Sequence, residues 1–181
     1  MKARGIALSA LLFSLPAMAR TFAGVTVPDS ATVAGQSLVL NGVGLREKYF
    51  IDIYVGALYL PTPTRSAQEA IESDVPKRVV MHFVFDVPKD DLNEVLKQSL
   101  ALSPDADVAL RSYPTFAGWM DDMAKGDEVI LDYAPGLGTT VTVKGTKKGT
   151  IAGVEFMRAI WGIWLGPTPP SAALKKGMLG G

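Results

Sequence analysis

The side chains able to do bond-making or metal chemistry are few. The 181 residues include no Cys and one histidine, His82, which excludes thiol nucleophiles, iron–sulfur ligation, disulfides and cysteine-ligated zinc and leaves one candidate for any imidazole-dependent step. His82 stands inside the apolar run RVVMHFVF, residues 78–85, where an imidazole is more often packed or hydrogen-bonded than used as a base. Asp121 and Asp122 are adjacent in a helical pattern and point in different directions, which suits a solvated face better than paired acids. Gly42-Val43-Gly44 and Gly136-Leu137-Gly138 each lack the third glycine of a dinucleotide fingerprint and precede strand pattern rather than a helix, so both are expected to be turns. What remains is Arg46. The segment LNGVGLREKYFIDIYVGALYLP, residues 40–61, is expected to place it in a glycine-rich turn at the mouth of a strand carrying Tyr54. A guanidinium offers forked donors to a carboxylate, and a phenol adds one more hydrogen bond. The pair can serve an anionic ligand head; the other reading of Arg46 is a solvated turn residue near Glu47 or Asp52.

The elements that would position these residues follow from periodicity. Tyr49 to Leu60 alternates as a long strand, with Ile51, Ile53 and Val55 on a core face and Phe50, Asp52 and Tyr54 on a mixed face that lines a cleft or meets solvent. Shorter strands are expected at Phe22–Val27 and Gln36–Leu40, bounded by turn formers at residues 28–30 and at Asn41-Gly42. The run containing His82 is a central strand. Pro88 to Leu102 switches to helical spacing through Leu92, Val95, Leu96 and Leu100, and Asp105 to Lys125 repeats it with Pro114 expected to break or kink the helix. A capping box marks a short helix over residues 66–73. Glu128–Tyr133 and Thr139–Lys144 form a hairpin, Lys147-Lys148-Gly149 another turn, and Ile151–Leu165 an aromatic-rich helix before a linker-like stretch and a tail. Strands interleaved with helices in this order predict an α+β domain with a mainly antiparallel sheet covered by helices on one side.

Composition limits the partners. With 18 Lys+Arg against 18 Asp+Glu and 48% hydrophobic residues, the chain lacks the basic surplus that binding phosphate backbones requires, so nucleic acid is not expected. Lys2 and Arg4, an apolar run to Ser14 and Ala17-Met18-Ala19 form a secretory signal pattern, with cleavage expected after Ala19 and a single domain over residues 20–181. The later apolar stretch, residues 151–166, carries Glu155 and Arg158 and is not expected to span a bilayer.

Three stretches together carry a resemblance: N-G-x-G-x-R leading into IYVGALYL, the passage VVMHFVFDVPKDDL, and the closing G-T-I-x-G-x-x-F-x-x-A-I-W-x-x-W-L-G. Over residues 22–174 the chain resembles the exported bacterial branch of the chalcone isomerase-like family, which implies a periplasmic location. The resemblance implies an open-faced β-sandwich, a large antiparallel sheet under a layer of helices with a ligand cleft between. The family holds plant enzymes that close chalcones to flavanones and non-enzymatic relatives that bind fatty acids in the same cleft. In the enzymes an arginine steadies the developing enolate, and this falls at Arg46. The threonine of the following strand becomes Tyr54, the helix tyrosine and asparagine fall near Leu92 and Ser99, and the last-helix hydroxyl falls near Ile163. The implied ligand set is Arg46, Tyr54, Phe50, Leu92, Leu96, Ser99 and Ile163, with no catalytic residue, metal or cofactor assigned. Three readings follow: a binder of a small hydrophobic acid such as a fatty acid, an intramolecular lyase acting on a chalcone-like conjugated ketone, or an envelope protein acting through partners.

Overall fold

The computed structural model describes residues 18–103 and 105–181. The expected signal sequence therefore lies almost entirely outside the described residues. Strands β1 (Ala19–Phe22) and β2 (Val25–Pro28) form a two-stranded ribbon. The main sheet contains β3 (Ser30–Val33), β4 (Gln36–Lys48), β5 (Ile51–Leu60), β6 (Lys77–Phe83), β7 (Glu128–Ala134), β8 (Gly138–Val143) and β9 (Thr146–Ile151), antiparallel and in chain order. Helices α1 (Ala67–Glu72), α2 (Lys89–Ala101), α3 (Ala106–Trp119), α4 (Val154–Leu165) and α5 (Ala172–Met178) cover one face. The α+β arrangement anticipated from periodicity is the one observed.

Strand alternation produces two cores. Leu58, Val79, Met81, Phe83, Leu131 and Val141 point toward the helices, where α4 is buried along almost its whole length through Phe156, Ile160, Trp161 and Trp164. The alternate residues Val55, Ala57 and Tyr59 point the other way and pack under the β1–β2 ribbon against Val25 and Val27. The ribbon is tied down by the Tyr59 hydroxyl, which donates to Pro28 O at 2.9 Å, and by the Arg20–Asp29 ion pair at 2.7 Å.

Several local expectations are corrected. Residues 22–27 are not one strand, because Ala23-Gly24 turns the chain between β1 and β2. Asn41, Gly42 and Gly44 make no turn; they lie inside the single strand β4, the glycines being required by a helix that crosses it. Lys147-Lys148-Gly149 is strand β9, and the turn precedes it at Lys144-Gly145, both left-handed at φ 52° and 73°, the backbone that a two-residue hairpin loop demands. Ile151 ends β9, and α4 starts only after Gly153. Helix α3 runs through Pro114 without breaking. The lost hydrogen bond there is outweighed by burial of Ala109, Tyr113 and Phe116 and by a Tyr113 hydroxyl bond to Asn93 O of α2. Asp121 and Asp122 lie past the end of α3, where Asp122 accepts the Lys89 amide at 2.8 Å and so caps the start of α2. The tail after Pro170 contains α5, whose Ser171 cap accepts Leu174 N and whose Leu174 and Met178 are buried.

One buried charge gives the fold a pH signature. Lys77 is fully buried, its Nζ donating to Ala70 O at 2.8 Å and Ile71 O at 3.3 Å and so satisfying the last carbonyls of α1. Desolvation lowers its pKa to about 8. The folded state gives up this proton before the unfolded state does, so the unfolded chain binds more protons between about pH 8 and the ordinary lysine value, and stability contributed through Lys77 rises with pH across that window. Relative to Lys77→Met, the wild type is expected to gain up to about 3 kcal/mol over that range in denaturant titrations. A difference that does not change with pH would show that Lys77 is not desolvated.

Candidate functional site

The N-G-x-G-x-R stretch acquires a physical meaning along β4. Asn41 is the extra residue of a β-bulge between the Leu40–Tyr59 and Gly42–Leu58 pairs. Its Nδ2 donates to Met178 O at 2.8 Å and its Oδ1 accepts Thr64 N at 2.7 Å, tying the C-terminal helix to the loop after β5. Gly42 and Gly44 share one face of the strand, and α5 lies directly on them: a methyl group on Gly42 would overlap Gly177 O and Met178 O, and one on Gly44 would overlap Leu174 O. Arg46 is the next residue on that same face, beyond the helix. It is half-buried, and its Nη1 donates to Glu47 O at 2.6 Å.

Arg46 is directly opposite Tyr54 on β5. Ile53 is a second bulge, between the Arg46–Tyr54 and Glu47–Asp52 pairs, and it resets the alternation so that Tyr54 faces the helices. This bulge also explains Phe50, which the unbroken alternation places with Tyr54. Phe50 instead occupies the exposed two-residue turn between β4 and β5 and is absent from the cleft lining.

Above Arg46 and Tyr54 opens a cleft of about 210 Å³. Its floor is Ile53, Tyr54, Met81 and Phe83 of the sheet; α2 forms a wall with Leu92, Val95 and Leu96; α4 supplies Ile163. The mouth carries Arg46, Lys48, Phe85, Asp86 and Asp91. The lining is mostly apolar with a few convergent polar groups, the usual composition of a small-molecule site. Tyr54 is its buried polar element. The phenol packs against Phe83, with ring centroids 5.6 Å apart, and its oxygen accepts Trp164 Nε1–H at 3.1 Å. Burial raises its pKa to about 12, with the Trp164 bond and the Arg46 charge acting against that rise. It therefore remains protonated at neutral pH, with an acceptor position filled by Trp164 and no acceptor for its own proton among the described residues.

Of the seven residues proposed from sequence, Arg46, Tyr54, Leu92, Leu96 and Ile163 are brought together around this cleft, whereas Phe50 and Ser99 lie outside its lining. Sequence reasoning missed Ile53, which it assigned to the opposite face, and Trp164 as the partner of Tyr54, which it took for core. The helical spacing of Ile160, Ile163 and Trp164 was the one available signal for a shared α4 face. His82 is on the other side of the sheet, half-exposed, with Nδ1 2.9 Å from Glu128 Oε1. Among the described residues no cluster of His, Asp or Glu is arranged to hold a metal ion, and no helix is long and apolar enough to cross a membrane.

The family described as chalcone isomerase-like matches residues 19–180. Among solved structures, the fold is similar to that of a fatty-acid binding protein of Arabidopsis thaliana, at a TM-score of 0.70 and 19% identity, covering 90% of this chain and 96% of that one. No curated protein matches the sequence. Matched over nearly its full length, with a bulged Arg46–Tyr54 strand pair beneath a helical layer, the chain belongs to the chalcone isomerase-like family.

Proposed function

We propose that this protein is a non-catalytic binder of a small hydrophobic acid, such as a fatty acid, with the carboxylate held at Arg46 and Tyr54 and the apolar tail enclosed by Leu92, Leu96 and Ile163. The observation that carries this reading is the Tyr54 hydroxyl: buried in an apolar cleft, it accepts from Trp164 and so has its proton to give to a ligand oxygen, opposite a guanidinium. A carboxylate accepts from both donors at once. The fatty-acid binding protein that shares the fold makes an acyl ligand the natural first probe.

The lyase alternative needs donors aimed at the charge that develops on a substrate carbonyl. Leu92 and Ile163 line the cleft where the resemblance puts two such groups, and neither can donate. Losing one donor of this kind raises a barrier by about 2.7 to 4 kcal/mol. Mixed with a chalcone, the protein is expected to leave the conjugated absorbance decaying at the uncatalysed rate, whereas a long-chain fatty acid perturbs tryptophan fluorescence through Trp164. Turnover abolished by Arg46→Ala would assign an enzyme instead.

Export is proposed from the leader pattern, with the domain beginning at Arg20 after cleavage. N-terminal sequencing of the protein recovered from the periplasm should read Arg-Thr-Phe; an intact Met1 chain in the cytoplasm would reject it.

A further inference from the structure

Large apolar side chains are exposed at nine described positions; four of these, Tyr49, Phe50, Phe85 and Val95, belong to the cleft lining or to the β4–β5 turn beside it, and a fifth, Ile51, follows the turn at the start of β5. The turn is the extreme case. Tyr49 is 84% and Phe50 96% exposed, and both adopt the left-handed backbone, at φ 51° and 66°. A two-residue hairpin turn of this kind favours Asn-Gly, and a bulky side chain there is an outlier. Neither ring packs into a core, so folding does not explain why aromatic residues occupy the two most unfavourable positions of the hairpin. Strain retained without a packing return marks a contact made with something outside the chain.

Charge on the hairpin divides by face, and the cleft mouth carries both signs. Arg46 and Lys48 alternate onto the cleft face of β4, both line the mouth, and neither takes part in an ion pair among the described residues. The Lys48 ammonium lies 5.7 Å from the centre of the Tyr49 ring. Glu47 and Asp52, register partners in the same hairpin, alternate to the other face, where Asp52 lines a separate cavity with His82. The mouth's two carboxylates balance Arg46 and Lys48: Asp86, which accepts the Lys125 amide at 2.8 Å, and Asp91 in the first turn of α2. Two exposed aromatic rings with the Lys48 ammonium beside the first is the side-chain order of a membrane interface: rings at the depth of the headgroups and acyl boundary, the cation snorkelling to the level of the headgroups.

We propose that the Tyr49-Phe50 hairpin tip docks on a lipid bilayer, setting the cleft mouth against the membrane surface. The docking rests on the tip's own aromatic exposure and backbone strain. Its purpose, exchange of a water-insoluble acid between bilayer and cleft, rests on the binding function proposed above.

Sedimentation with phosphatidylethanolamine–phosphatidylglycerol vesicles tests this, using the protein with the N-terminus that cells leave on it. The wild type is expected to sediment with these vesicles, and the Tyr49→Asn/Phe50→Gly double variant to bind at least tenfold more weakly. That variant installs the favoured turn residues, so its thermal midpoint should be unchanged or raised, and its affinity for a soluble medium-chain acid should match the wild type. Tyr54→Phe should lose affinity for the acid yet sediment like the wild type. A wild type that binds acid but not vesicles, or a tip variant that sediments equally well, would overturn the docking site. So would a lipid-independent dimer that the tip variant abolishes, since the surface would then belong to a second copy. Vesicle binding by a protein that takes no acid would support the docking and sink the cleft function instead.

Discussion

Replacing Arg46 by alanine should weaken binding of a long-chain acid by roughly 30-fold, about 2 kcal/mol. Removing one partner of a buried, hydrogen-bonded charge pair costs about 2 to 5 kcal/mol, and the lower end applies because Arg46 is only half-buried. Tyr54→Phe should cost about 1.5 to 3 kcal/mol of affinity, the range for a hydrogen bond to a charged group. The two losses differ in a second readout. Tyr54→Phe also strands the Trp164 indole N–H in the core, which should lower the stability of the free protein by about 1 to 3 kcal/mol; Arg46→Ala should not, since its hydrogen bond within the described residues is an exposed one to Glu47 O. Isothermal titration together with chemical denaturation of each variant checks both. Unchanged acid affinity in both variants would reduce the site to a greasy cleft.

The largest stability effect should come from the glycines beneath α5. Gly42→Ala and Gly44→Ala each place a methyl group inside backbone atoms of the helix rather than against a flexible side chain. Overpacking a core costs about 1 to 3 kcal/mol even where side chains can yield, so each variant is expected to lose at least about 3 kcal/mol in urea titrations. Gly118→Ala is the control. That helical position has nothing within 4 Å of an added methyl group, and the change should stabilise by about 0.5 to 1 kcal/mol. Because Pro170, just before α5, lines the cleft, Gly44→Ala should also weaken acid binding by displacing α5 and the Pro170 segment that leads into it. Near-wild-type stability of both β4 variants would mean that α5 does not rest on those glycines.

Much of the fold was legible because it rests on periodicity that side chains cannot disguise. Leu92, Val95, Leu96 and Leu100 specify α2, and alternation specifies β6 to β8. The errors share a physical cause. A glycine is read as a turn when only its conformational freedom is considered, but Gly42 and Gly44 are glycine because of what lies above them, and α5 is far away in sequence. Asn41 and Ile53 each insert a bulge, and alternation counted through a bulge assigns every later residue to the wrong face; this placed Ile53 away from the cleft and Phe50 within it. Arg46 and Tyr54 were legible as chemistry, a lone guanidinium near a phenol, but their direct cross-strand pairing is a property of register. The indole–phenol bond from Trp164 joins residues 110 positions apart, and nothing local to either one announces it.

Recognition of an acid by the cleft is the property on which the binding function depends. A calorimetric titration of the wild type with a long-chain fatty acid and with the alcohol of the same chain length isolates that claim, since the tails bury equal apolar surface, worth about 0.8 kcal/mol per methylene in either case, and only the head differs. The acid should bind at least tenfold more tightly, through the Arg46 guanidinium and the protonated Tyr54 hydroxyl. Equal affinity for acid and alcohol would contradict the anion site directly.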